Sequence, residues 1–61
     1  MVYYLSNGKY YEVKFVNNRI RVTEYADRFK GMFLSESNVE MFDSYKEVRE
    51  YLKEMNGGVE I

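Results

Sequence analysis

Apolar and polar residues alternate most cleanly from Tyr10 to Val16 (YYEVKFV), which predicts a strand with one face turned to a core. Asn7-Gly8 precedes this run and Asn17-Asn18 follows it. Both pairs suit two-residue hairpin turns, because Gly and Asn tolerate the positive φ such turns require. The run is therefore expected to be the central strand of a meander, between Val2–Leu5 and Arg19–Tyr25. With Asn17-Asn18 as the turn, Val16 faces Arg19, Phe15 faces Ile20, Lys14 faces Arg21, Val13 faces Val22 and Tyr10 faces Tyr25. With Asn7-Gly8 as the turn, Leu5 faces Tyr10, Tyr4 faces Tyr11 and Val2 faces Val13. Strand side chains alternate between faces, so these pairs sort into two sets. Val2, Tyr4, Tyr11, Val13, Phe15, Ile20 and Val22 form the expected core face. Tyr3, Leu5, Tyr10, Glu12, Lys14, Val16, Arg19, Arg21, Thr23 and Tyr25 form the other.

The next stretch is less regular. Ala26–Gly31 mixes charges with a Gly and reads as a loop, and Met32–Ser35 reads as a short fourth strand. Glu36-Ser37-Asn38 carries a turn signal, leaving Val39–Phe42 as a fifth strand or an extended lead into a helix. That helix is well marked. Ser44 is placed to cap it, and Glu47 stands at the capping-box spacing. Tyr45, Val48, Tyr51, Leu52 and Met55 recur at helical intervals as one apolar stripe. Asn56-Gly57-Gly58 supplies a left-handed stop. The stripe needs an apolar surface to bury against, and the core face of the sheet provides one. The expected fold is α+β: an antiparallel β-meander of three to five strands with one C-terminal helix on one sheet face, as a single domain over residues 1–61.

Composition narrows the functional classes. Sixty-one residues lie near the lower size limit for a domain that folds alone. The chain has no Cys and no His, so disulfides and Cys- or His-ligated zinc sites are excluded. No cofactor or metal site is expected. The commonest general base and the thiol nucleophile are both missing, which points away from an enzyme. No apolar run is long enough to cross a bilayer and no signal-peptide pattern opens the chain, so a cytoplasmic location is the default expectation. Charge is uneven. Residues 1–31 carry six Lys/Arg against three acids, whereas residues 32–61 carry three against seven. The overall net charge is −1, which disfavours non-specific nucleic-acid binding.

The run Phe42-Asp43-Ser44-Tyr45-Lys46-Glu47-Val48-Arg49-Glu50-Tyr51 resembles the strand-to-helix junction of AP2-type and integrase arm-type DNA-binding domains. Those domains pair a three-stranded antiparallel sheet with one helix and insert the sheet into the DNA major groove. The resemblance implies DNA contacts by Lys14, Arg19 and Arg21. It covers about ten residues, and the acidic balance and tyrosine-rich outer face depart from the family.

Three readings follow. The first is a protein-binding module or inhibitor, of the kind a phage or mobile element encodes against a host nucleic-acid-processing enzyme. Its candidate contacts are Tyr3, Tyr10 and Tyr25 on the sheet and the acids Glu36, Glu40, Asp43 and Glu47. Aromatic residues with Arg are enriched in binding hot spots, and an acidic surface can imitate nucleic-acid phosphate. The second is a nucleic-acid-binding domain using Lys14, Arg19 and Arg21, with tyrosines as stacking groups. The third is a homo-oligomer that buries the tyrosine face against a copy of itself.

Overall fold

The computed structural model describes residues 1–29 and 32–61, with side chains described outside 27–35. Four strands precede one helix: β1 (Val2–Tyr4), β2 (Tyr10–Val16), β3 (Arg19–Phe29), β4 (Met32–Phe42) and α1 (Tyr45–Met55). The strands form one antiparallel sheet in chain order. The architecture is the expected α+β meander with a single helix.

The β2–β3 hairpin has the expected register throughout, from Val16 opposite Arg19 to Tyr10 opposite Tyr25. Asn17 and Asn18 both take positive φ, 51° and 64°. This matches the twist of a two-residue hairpin turn and orders every pair that follows.

The β1–β2 hairpin differs from the expected register by one residue. Val2 pairs with Glu12, Tyr3 with Tyr11 and Tyr4 with Tyr10. The loop has three residues instead of two. Gly8 N donates to Leu5 O at 3.0 Å, Leu5 N donates to Lys9 O at 3.1 Å, and Gly8 takes φ 81°. A tight turn followed by a left-handed Gly adds one residue, and a one-residue slip exchanges the faces of a strand. Tyr3 and Leu5 therefore point to the core, with Leu5 buried, while Val2 and Tyr4 point outward.

Strand β3 continues through Ala26 to Phe29, where a loop was expected; the rest of that segment, residues 30 and 31, lies outside the described residues. Strand β4 likewise runs unbroken through Glu36-Ser37-Asn38. The turn-like composition there corresponds to a shift in pairing: Asn38 lies opposite Glu24, but Glu36 lies opposite Tyr25. Ser37 is the extra residue, and its hydroxyl donates to the Glu24 carboxylate. A bulge absorbs the irregularity without ending the strand.

The core gathers Leu5, Tyr11, Val13, Ile20 and Val22 from the sheet with Val48 and Leu52 from the helix. Tyr51 packs edge-on to Tyr11, with ring centroids 6.2 Å apart, and against Phe42 at 5.2 Å. Phe15 was expected in this core but is 68% exposed. It stands on β2 beside the β2–β3 turn, where β1 is too short to flank it and the Tyr45 ring is its aromatic neighbour at 5.7 Å.

Both helix ends are capped as their sequence implies. Glu47 N donates to Ser44 Oγ at 3.4 Å, while the Glu47 carboxylate accepts from Asp43 N at 3.0 Å. At the other end Gly58 N donates to Lys53 O and Gly57 N to Glu54 O, a double closure that needs the positive φ of Gly57. Asn56 then ties the helix to the first loop, its Oδ1 accepting from Ser6 N at 2.8 Å.

One acid interrupts the apolar face. Glu24 continues the alternation of Ile20 and Val22 and is buried opposite Tyr11. Tyr11 Oη donates to it at 2.6 Å, Ser37 donates to it, and Lys9 Nζ lies 3.4 Å away. Asn7 Nδ2 donates in turn to Tyr11 Oη at 2.9 Å. Burial alone would raise the Glu24 pKa, but the hydrogen bonds from Ser37 and Tyr11, with the Lys9 charge, outweigh it and lower the pKa. Tyr11 is pushed up to about 12, chiefly by burial and then by its bond to Glu24.

Two expectations follow. Tyr11→Phe leaves a buried carboxylate short of a donor and should cost about 1–3 kcal/mol in denaturant unfolding. The pH dependence has two limbs with opposite signs. Because the folded Glu24 pKa is lowered, its contribution is present above the ordinary value of 4.5 and is lost as pH falls through the folded pKa. Because the folded Tyr11 pKa is raised, its contribution is complete below pH 10 and is lost as pH rises toward about 12. Denaturation across pH should show both limbs, with Glu24→Gln flattening the acid one and Tyr11→Phe reducing the alkaline one, to which the raised pKa values of Tyr25 and Tyr51 also contribute.

Candidate functional site

The 11-residue helix covers one sheet face, and no described element packs on the other. The strand registers arrange this outer face in rows across the sheet. The first row reads Tyr4, Tyr10, Tyr25 and Glu36, from β1 to β4. The second reads Val2, Glu12, Thr23 and Val39, and the third Lys14, Arg21 and Met41. Val16 and Arg19 close the face beside the β2–β3 turn.

The exposed apolar area sits mainly toward the sheet's two sides. Tyr4 is 66% exposed, Val2 50%, Val39 45% and Met41 37%. Between them the long side chains lie over one another. Tyr4 stacks on Tyr10 with centroids 4.6 Å apart. Tyr25 Oη donates to Glu12 Oε1 at 3.4 Å, and Lys14 Nζ lies 3.8 Å from the same oxygen. These chains bury Thr23 even though no helix covers it. Burial first, then the carboxylates of Glu12 and Glu36, raise the Tyr25 pKa and hold its phenol neutral. Arg21 Nε is buried with no hydrogen-bond partner among the described residues, an arrangement that costs the folded state unless an acceptor arrives.

The residues proposed from sequence are distributed as follows. Tyr10 and Tyr25 lie side by side on the outer face. Tyr3 does not join them; it packs beside the core cluster, and Tyr4 takes the place assigned to it. The sequence pattern does not single out Tyr4, because Asn7-Gly8 also fits a two-residue loop that would turn it inward. Lys14, Arg19 and Arg21 all lie on the outer face, as their alternation along β2 and β3 implies. Among the described residues they stand near three carboxylates: Glu12 and Glu36 in the neighbouring rows, and Asp43, whose Oδ1 lies 2.9 Å from Arg19 Nε. The four acids do not converge. Glu36 joins the tyrosine row, Glu40 lies on the helix side opposite Val22, and Asp43 and Glu47 bond at the strand–helix junction. Among the described residues no group of three acids is placed to hold a metal ion.

A groove of about 350 Å³ runs along the helix, lined by Tyr45, Lys46, Arg49, Glu50, Lys53 and Glu60. Lys53 is bridged across it to Glu60 at 3.5 Å. No helix among the described residues is long and apolar enough to cross a membrane. Comparison with protein-family models, with curated proteins and with solved structures finds no match to this chain.

The face assignment is open to direct measurement. Tyr4→Ser should change unfolding free energy by less than about 1 kcal/mol, the range of a surface position with one ring contact. Tyr3→Ser should cost about 2 kcal/mol or more, because it removes packing from the core. Equal effects at the two positions would contradict the observed β1 register.

Proposed function

We propose that this protein is a non-enzymatic protein-binding module that meets its partner with the outer sheet face. The observation that carries this reading is a flat face left without a helix, with exposed Tyr4, Val2, Val39 and Met41 around a tyrosine and arginine centre. Exposed apolar area rimmed by charge is typical of interaction surfaces, and tyrosine and arginine dominate binding hot spots. Direct inhibition of a larger enzyme suits a chain of this size, since a rigid sheet loses little entropy on docking.

The same face is the one a nucleic-acid-binding domain of the AP2 type would use. Its mixed charge favours protein over nucleic acid, because phosphate recognition draws on uncompensated Lys and Arg. A self-associating face is the remaining alternative, and solution mass separates it from the lead.

The test places a photo-cross-linking amino acid at Tyr4 or Val39 and, as a control, at Glu50 on the outer side of the helix. Irradiation in the cells that produce the protein should give protein adducts from the two sheet positions and none from Glu50. Tyr10→Asp should abolish those adducts while the far-ultraviolet circular dichroism stays unchanged. Adducts sensitive to nuclease, with oligonucleotide binding that falls steeply with salt, would replace this reading with the nucleic-acid one. A dimer mass by light scattering that Tyr10→Asp converts to monomer would replace it with self-association.

A further inference from the structure

The two edges of the sheet are unequal. On one side β1 spans three residues, Val2–Tyr4. On the other β4 runs for eleven, Met32–Phe42, and no strand among the described residues pairs with its outer side. Residues 36–41 are all exposed, so no described element covers this edge. An uncovered edge presents a row of backbone N–H and C=O groups ready to pair with another extended chain, and folded proteins usually blunt it with Pro, with Lys, or by keeping it short. Pro and Lys are absent from β4 and the strand is not short; the bulge at Ser37 is what interrupts its edge. The chain has no Pro, and no Lys or Arg occurs from Met32 through Tyr45.

What the edge carries instead is negative charge on both sides of the sheet. Glu36 and Glu40 are four residues apart, a spacing that would place them on one face of a regular strand. The bulge at Ser37 changes this. Glu36 lies beside Tyr25 on the outer face, and Glu40 lies opposite Val22 on the helix side. Neither makes an ion pair among the described residues; Glu40 only accepts from Asn38 Nδ2 at 2.9 Å. A strand added to β4 would therefore meet a carboxylate above the sheet and another below it. A second copy of β4 would set like charges against each other, which destabilises cross-strand pairs.

We infer that the β4 edge accepts an extended, Lys- or Arg-bearing segment of a partner protein by β-strand addition. Backbone hydrogen bonds to residues 36–42 supply affinity, and Glu36 and Glu40 select a segment with cations on both faces. The β4 edge adjoins the outer face and shares Glu36 with it, but strand addition pairs backbone groups, so protected β4 amides distinguish it from docking on the face.

The probe is a capped synthetic valine heptapeptide with lysine at positions 2 and 5, an odd spacing that puts one cation on each face of a strand, titrated into isotope-labelled protein and followed by amide NMR. The expected result is shifted and exchange-protected amides in residues 36–42, with β1 amides unchanged. Binding should weaken about fivefold or more between about 50 and 300 mM salt, as screening predicts for exposed charges. Glu36→Lys with Glu40→Lys should weaken it at least about tenfold while the melting curve is preserved, both positions being exposed. Four results would overturn the inference: shifts mapping to β1 and β2, no binding, equal binding of the same peptide with glutamate in place of lysine, or equal binding of a peptide N-methylated at alternate amides. Protection of the same amides by concentration alone would show that the edge pairs with itself, and would overturn it too.

Discussion

The contact on which this structure depends most is the buried hydrogen bond between Tyr11 and Glu24. It joins β2 to β3 at a point where both side chains lie inside the sheet–helix layer. A carboxylate there is tolerable only because every approach to it is occupied by a donor: Tyr11, Ser37 and Lys9. Each donor comes from a different place. Tyr11 reports the β2–β3 register, Lys9 and Asn7 report the three-residue loop before β2, and Ser37 reports the bulge in β4. Satisfying one buried acid thus holds three strands and one loop in a single arrangement.

The bulge also shapes the surface. By admitting Ser37 to the Glu24 site, β4 takes one extra residue and sends Glu36 to the face opposite Glu40. Charge that a regular strand would collect on one side is divided between two. The outer face then carries mixed charge around its tyrosines, and the β4 edge becomes acidic from both sides. The interior hydrogen bonding and the exterior electrostatics have the same cause.

The helix explains why there is a surface to discuss. One amphipathic helix buries one stripe, and Val48 and Leu52 satisfy it against Val22, Ile20 and their neighbours. The opposite face has no second layer among the described residues. Its long side chains fold over one another and bury Thr23, yet leave apolar groups exposed at both sides of the sheet. In so small a chain that exposure is a large fraction of the whole, which is why the outer face is the natural place to look for a partner.

What the sequence determined by itself is what local chemistry can specify. Asn17-Asn18 demands positive φ twice, which allows one hairpin register, so the pairs Tyr10–Tyr25 and Lys14–Arg21 on the candidate face were legible. Ser44, Glu47 and the Gly pair bound a helix whose stripe has one period, and they did so as read. Tertiary structure decided the rest. Asn7-Gly8 fits a two-residue turn and the end of a three-residue loop equally well, and only the packing of Leu5 and the bonding of Asn7 to Tyr11 selected the longer one. That single residue exchanged Tyr3 for Tyr4 on the outer face. Polar Glu36-Ser37-Asn38 reads as a turn until a buried carboxylate on another strand requires the serine, and Phe15 reads as core until β1 proves too short to flank it. Local signals specify turns and caps because they act within a few residues. Faces, bulges and burial depend on which distant groups must be satisfied together.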